Sequence, residues 1–403
     1  MKRILFIAPD SYPVTGAESI VNIKLLEALC ATDEFEIDLV SRKRKWSRYP
    51  SDSLESFGVK LNSINIIEYD NKANFKTLIQ SLRTFLKFGA FFKGCHWAII
   101  AYSCIENLLR NNKYDYVLTK NTPSYLLGAY VQKKFGIKWI ATWNDPYPGD
   151  KYPAPYGLGN KCKEGFLMKR EIKIMKEAYV HVFPNDRIKN FMQEYLRVDD
   201  EKTVIIPHAI LENRISSHVG SKDNKLRLIH SGNLGNPRNP LNLLKALDRF
   251  VREISTDISL TILGHPNKEL SRDVAAYHLE DYVKYLPPVE YKQSVSLLQD
   301  YDVAVIVEAN CEEGIFLPTK VSDFMQARIP IFSISPSVGV LNDLYKEGFV
   351  EYFASVQDEN EIFSELRRIN NEYKANKGET HSAPLKQQYL SSNILKQYLE
   401  LCR

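Results

Sequence analysis

The chain has 403 residues, 44% of them hydrophobic and 25% charged, with 53 Lys and Arg against 49 Asp and Glu. That length exceeds what one core supports, so two domains are expected, and so small a positive excess gives no reason to expect nucleic acid as a partner. Six cysteines, Cys30, Cys95, Cys104, Cys162, Cys311 and Cys402, lack CxxC spacing, which argues against a disulfide framework or a structural zinc site and for a reducing compartment.

The N-terminus, MKRILFIAPDSYP, has a basic start but only a short apolar run before Pro9 and Asp10. It reads as a first strand, Lys2 to Ala8, and not as a signal peptide, which places the protein in the cytoplasm or peripherally on the inner face of a membrane. A loop from Pro9 to Ala17 opens the helix Glu18 to Cys30, whose Ile20, Ile23, Leu26 and Leu29 share one face. Strands follow at Glu36 to Ser41 and Ile64 to Glu68, with a basic loop, Arg42 to Arg48, after the first of them. Phe75 to Arg110 is rich in Phe, Leu, Ile and Trp and carries Lys76, Arg83, Lys87 and Lys93. It reads either as a helical pair packed on its own protein or as an amphipathic basic surface that docks on anionic lipid. Within it, Ala90 to Ile105 is broken by Lys93, Gly94 and His96 and is too short and polar to span a bilayer.

Tyr114 to Thr119 is a strand ending at Lys120, Ser124 to Phe135 a helix, and Lys138 to Thr142 a strand whose end reads TWNDPYP. Ligands collect at such carboxyl ends in open α/β sheets, so Asp145 is a candidate catalytic residue, the plainer alternative being a cap on an Asp-Pro turn. Tyr147 to Gly165, dense in Pro, Gly, Tyr and Lys, reads as a long acceptor-side loop. Helices at Lys169 to Glu177 and Asn185 to Tyr195 flank the strand Tyr179 to Phe183, and Thr203 to Pro207 precedes His208, a single histidine better read as packed than catalytic. The first domain is taken as 1–215, and the polar stretch 216–225 as a linker.

The second domain, 226–384, opens with LRLIHSGNLGNPRNP: an apolar strand, a loop holding Gly232, Asn233 and Gly235, then the helix Leu241 to Glu253. Strand, Gly loop and helix start can present backbone N–H groups and a positive helix end to a phosphate, with Arg238 in reach of the anion; equally, a plain turn needs Gly wherever φ is positive. Strands are expected at Ser259 to Leu263, Val283 to Leu286 and Val303 to Val307, and helices at Glu269 to Tyr277 and Ser294 to Asp300. FLPTKVSDFMQARIPI, Phe316 to Ile331, is a second loop entering a helix, with Lys320 and Asp323 near its start and Pro330 closing it. A cation for phosphate and a carboxylate for vicinal hydroxyls are what a nucleotide needs from two neighbouring loops. Ile331 to Ile334 is taken as the last strand, followed by helices at Gly339 to Tyr345, Glu359 to Tyr373 and, in a tail 385–403, Lys386 to Cys402.

GNLGNPRNP and FLPTKVSDFMQARIPI, with TGAE near the N-terminus, resemble the GT-B glycosyltransferases of family 4, which build bacterial surface polysaccharides and glycolipids. The resemblance implies an α/β fold of two Rossmann-like doubly wound domains facing a cleft, with the C-terminal helix crossing back to the first domain. It implies donor contacts from Gly16 and Ala17, from Gly232 and Asn233, from the backbone at Leu286, and from Gly314, Ile315, Phe316 and Asp323. Members usually carry a second carboxylate eight residues before the position of Asp323; here Ile315 stands there, which leaves backbone N–H groups of Gly314 to Phe316 for that role. Arg238 and Lys320 would stabilise the leaving diphosphate, and the resemblance further implies retention of anomeric configuration without a covalent intermediate. No GxGxxG follows the first strand and no Asp-x-Asp pair stands in the expected cleft, which favours a metal-independent transferase with no cofactor and speaks against a dinucleotide oxidoreductase. The expected partners are a nucleotide sugar, with UDP or GDP, and a saccharide or lipid-linked acceptor. The alternatives are a GT-B sugar-nucleotide epimerase or hydrolase, or a non-catalytic nucleotide-sugar-binding protein.

Overall fold

The computed structural model describes residues 1–14, 16–44, 58–218, 220, 224–379 and 381–403. Contacts divide the chain into two units, Met1–Leu211 with Gln388–Arg403, and Glu212–Gln387. The first contains β1 (Lys2–Ile7), α1 (Ala17–Leu29), β2 (Phe35–Arg44), β3 (Ser63–Tyr69), α2 (Phe75–Phe88), α3 (His96–Asn111), β4 (Tyr116–Lys120), α4 (Ser124–Phe135), β5 (Lys138–Thr142), α5 (Phe166–Met175), β6 (Val180–Phe183), α6 (Asp186–Leu196) and β7 (Thr203–Ile205). The second contains β8 (Leu226–Ser231), α7 (Leu241–Glu253), β9 (Ile258–Leu263), α8 (Lys268–Ala276), β10 (Val283–Leu286), α9 (Tyr291–Leu297), β11 (Val303–Val307), α10 (Lys320–Ala327), β12 (Ile331–Ser335), α11 (Val340–Lys346), β13 (Tyr352–Ser355) and α12 (Glu359–Ala375). The last helix, α13 (Ser391–Leu401), belongs to the first unit and packs on α1.

Each unit is a parallel sheet flanked by helices, ordered β3-β2-β1-β4-β5-β6-β7 in the first and β10-β9-β8-β11-β12-β13 in the second. Both are Rossmann-like, because parallel neighbours need crossovers and the crossover helices cover the sheet. Strands buried on both faces are largely apolar, and every residue of β9, β11 and β12 is buried, the few polar ones being small hydroxyls such as Ser333, which donates to Ser335 Oγ at 3.0 Å. In the second unit Leu228, Leu260, Val305 and Phe332 of the sheet join Leu243, Leu247 and Phe250 of α7 and Ile362 and Leu366 of α12 in one core.

Two sequence expectations are corrected. The segment after Ser41 is strand and not loop as far as Arg44, since β2 goes on pairing with β3, Arg42 against Ile67 and Lys43 against Glu68. Arg42 is held there by both carboxylate oxygens of Asp10, at 2.8 and 2.9 Å; positions 45–48 of that expected loop lie outside the described residues. The second sheet does not end at Ile331 to Ile334, because β13 pairs in parallel with β12, and YFAS is too short and mixed to announce itself. The expected linker is anchored on the second unit where described: Ser216 donates its amide to Gln326 O at 3.2 Å, and Lys225 O accepts from Tyr373 Oη at 3.4 Å. Among the described residues no helix is long and apolar enough to cross a membrane.

In the first unit α4 approaches β5 through Gly128, where a Cβ would lie 2.3 Å from Nε1 of Trp139. That indole is fully buried and donates to Thr119 Oγ1 at 2.7 Å, so it cannot step aside. Gly128→Ala gains about 1 kcal/mol of helix propensity but overpacks a rigid site at about 1–3 kcal/mol. Net destabilisation of the first unit by up to about 2 kcal/mol is expected; Trp97, Trp139 and Trp143 lie in that unit and residues 212–387 hold no tryptophan, so tryptophan fluorescence during urea unfolding reads it directly.

Candidate active site

Strand order reverses once in each sheet, between β1 and β4 and between β8 and β11. Past the carboxyl ends of strands at such a reversal, α/β sheets bind their ligands. In the second unit β8 delivers His230, Ser231 and the loop from Gly232 to Arg238, β11 delivers Glu308, and α10 begins at Lys320. Gly232 has φ 124°, a conformation side chains resist, and a Cβ there would also stand 3.2 Å from Lys320 Nζ. Glycine thus lets loop backbone and ammonium approach each other. The loop is braced from outside: Gly232 N donates to Leu263 O at 2.8 Å, and Asn267 Nδ2 to Leu234 O at 2.6 Å. Asn233 Oδ1 accepts from His265 N at 2.8 Å, so its side chain is part of that brace. Gly235 N donates to Arg238 O at 3.0 Å, closing the turn that presents Arg238.

Arg238 Nε lies 3.4 Å from Glu308 Oε2, and Lys320 Nζ lies 3.4 Å from His230 Nε2. The other ring nitrogen of His230, Nδ1, is 3.0 Å from Val305 O, which can only accept. Nδ1 therefore carries the proton, and Nε2 offers its lone pair to the ammonium. Burial, with Lys320 adding to it, holds His230 well below the ordinary histidine range, so it stays neutral. Burial pushes Lys320 down to about 8, the Glu308 carboxylate opposing. Burial likewise raises the Glu308 carboxyl, while Arg238 and Lys320 pull it back. Asp323, in the first turn of α10, accepts from Tyr291 Oη at 2.7 Å. Two cations, one buried carboxyl and a neutral imidazole thus converge beside a glycine-turned loop, an arrangement suited to a multiply charged anion.

Neither His230 nor Glu308 was singled out from sequence. The loop 308–316 turns a carboxylate onto Arg238 from its first residue, Glu308, and not from the position of Ile315. Gly314 donates its amide to Val338 O and accepts from Val340 N, both at 2.9 Å, so this expected donor to the ligand is already engaged. Ile315 is buried and Phe316 half-buried. Leu286 ends β10, and its carbonyl accepts from Gly264 N at 3.0 Å.

The first unit gathers its own polar group. Gly16 precedes α1 and Ala17 begins it, and both carboxylate oxygens of Glu18 accept from Asn144 Nδ2, at 2.8 and 2.9 Å. Asp145 is the next residue, and Lys120, buried at the end of β4, is pushed by burial to about 8 with Glu18 and Asp145 opposing. Thr15, the first residue of the TGAE match, lies outside the described residues. His208 is buried, and neither of its ring nitrogens has a hydrogen-bond partner among the described residues, which fits a packed residue.

Two Rossmann-like units, each with polar residues at the carboxyl ends of its strands, define the architecture of the GT-B glycosyltransferases. The chain is a GT-B glycosyltransferase of the family 4 type: the model described as Glycosyltransferase Family 4 matches residues 35–214, and that for glycosyl transferases group 1 matches residues 212–378. Among solved structures it is similar to HepE of Anabaena in complex with UDP and glucose, with 13% identity, TM-score 0.65 and coverage of 100% of this chain and 99% of the other. Sucrose-phosphate synthase of Thermosynechococcus elongatus gives 14% identity and TM-score 0.67 over 100% of this chain and 98% of that one. The lipopolysaccharide outer core galactosyltransferase WaaB gives 11% identity and TM-score 0.62 over 99% and 98%. No curated protein matches the chain by sequence.

An ammonium is charged below its pKa and neutral above it, so anion binding at Lys320 should weaken as pH rises through about 8. Glu308 holds that pKa up, so Glu308→Gln should move the loss to lower pH. Calorimetric binding of inorganic pyrophosphate across a pH series measures the midpoint; an unmoved or higher midpoint in the variant would contradict the coupling.

Proposed function

We propose that the protein is a retaining, metal-independent glycosyltransferase that moves a sugar from a nucleoside-diphosphate sugar to a saccharide or lipid-linked acceptor in cell-surface polysaccharide synthesis. It works in the cytoplasm or peripherally on the inner membrane face. The observation that carries the reading is the convergence of Arg238 and Lys320 on the Gly232 loop. As the glycosidic bond to the diphosphate breaks, negative charge concentrates on the leaving group, and cations held in a partly dry site favour that state over the ground state. The metal-independent reading rests on these two side chains taking the charge that a divalent ion takes elsewhere. The UDP bound by HepE makes UDP the first donor nucleotide to try, with GDP next. Gly16, Ala17, Gly232 and Asp323 are assigned to the donor, and Asp145 orients substrate or takes a proton, the leaving phosphate being the other acceptor for it.

The reading predicts that UDP or GDP raises the melting temperature without Mg²⁺, while ADP, CMP and NAD do not. Arg238→Ala and Lys320→Ala should each lower turnover by about two to three orders of magnitude, the scale of losing a transition-state anion contact. A response to NAD alone, or full activity in both variants, would overturn it.

A further inference from the structure

A helix on the surface of a globular protein normally buries its apolar stripe and exposes its polar one. α2 does the reverse. Its buried residues are Thr77 and Thr84, with Ser81 half-buried beside them, and their hydroxyls are satisfied by backbone carbonyls, Thr84 Oγ1 donating to Gln80 O and Ser81 Oγ to Thr77 O, both at 2.8 Å. Its exposed residues include Phe75 at 77%, Leu78 at 49%, Leu82 at 49% and Leu86 at 83% of full accessibility. At about 100° per residue these four fall within an arc of about 80°, and Lys76, Arg83 and Lys87 line one border of it.

The face continues past the end of the helix. Arg170 donates to Gly89 O at 3.0 Å and lies 5.5 Å from the ring centres of both Phe85 and Phe166, which brings exposed Phe166 against the end of α2. Between Asp70 and Glu106 the sequence holds Lys72, Lys76, Arg83, Lys87 and Lys93 and not one Asp or Glu. An apolar row edged by cations, in a stretch without a carboxylate, is complementary to a surface that is greasy within and anionic at its boundary. A second copy would fit worse, because pairing like faces sets cation against cation.

We propose that α2 is an interfacial helix that lies flat on an anionic bilayer, Phe75, Leu78, Leu82 and Leu86 entering the acyl boundary and Lys76 and Arg83 meeting headgroup phosphates. This deepens the lipid-linked acceptor of the function proposed above and rests on it only for its biological use. The test is co-sedimentation of the purified full chain with phosphatidylcholine vesicles, with and without phosphatidylglycerol. Wild type should bind the anionic vesicles at least about tenfold more tightly than the neutral ones, and Lys76→Glu with Arg83→Glu should remove that preference. Leu82→Gln with Leu86→Gln, on a solvent face, should cost about tenfold or more in binding while the melting temperature holds. A Leu82→Trp variant should shift its emission to the blue only with anionic vesicles. Wild type left in the supernatant, or a self-association that the Leu→Gln pair abolishes while vesicles are ignored, overturns the proposal. The nucleotide response of the same samples is read separately: vesicle binding without it removes the donor reading and leaves the docking helix standing.

Discussion

Parallel strands cannot be joined by tight turns, so each must be followed by a crossover that returns the chain to the end of the sheet where that strand began. All strands then end on the same side, and the residues just past their ends meet in space however far apart they lie in the chain. Gly232, Glu308 and Lys320 are neighbours for that reason. Where the strand order reverses, adjacent crossovers leave to opposite faces and the backbone opens. In the second unit that reversal falls between β8 and β11, the strands that supply the glycine loop and the buried carboxyl.

Burying a charge is costly unless it is paired, and this site largely buries Glu308 and Lys320 beside the half-exposed Arg238. Glu308 offsets the mutual repulsion of Arg238 and Lys320, at the expense of competing with any anion for them. The neutral imidazole of His230 lets Lys320 keep a hydrogen-bond partner without gaining a counter-charge. A diphosphate arriving here would exchange one carboxylate for two or more phosphate charges, and that difference would favour binding and not mere occupancy.

The parts of the fold legible in the sequence were those whose residues carry the whole signal. Val303–Val307 is five apolar residues in a row, and α7 repeats leucines at helical spacing, so both appear in the structure at the expected bounds. β13 was not legible, because YFAS becomes a strand only through the ladder that β12 offers it. His230 and Glu308 escaped notice for a related reason: one sits inside a strand pattern and the other at the end of one, and their partners come from 70 to 90 residues away. The Gly232 loop and the Lys320 helix start could be read because turn glycines and helix entries leave local marks. For α2 the spacing of Phe75, Leu78, Leu82 and Leu86 is visible in the sequence, but which side of the helix meets the protein depends on where Thr77 and Thr84 find their places.

The first unit takes its residues from both ends of the chain, Met1–Leu211 and Gln388–Arg403, with the second unit inserted between them. On a ribosome the inserted unit is therefore complete before the unit that holds it. Until α13 emerges, α1 lacks its packing partner, and the first unit must wait, partly formed, for about a hundred and ninety residues of further synthesis. Chain order thus makes the anion-binding unit the earlier of the two to become whole, and leaves α13, synthesised after it, to complete the unit that holds it.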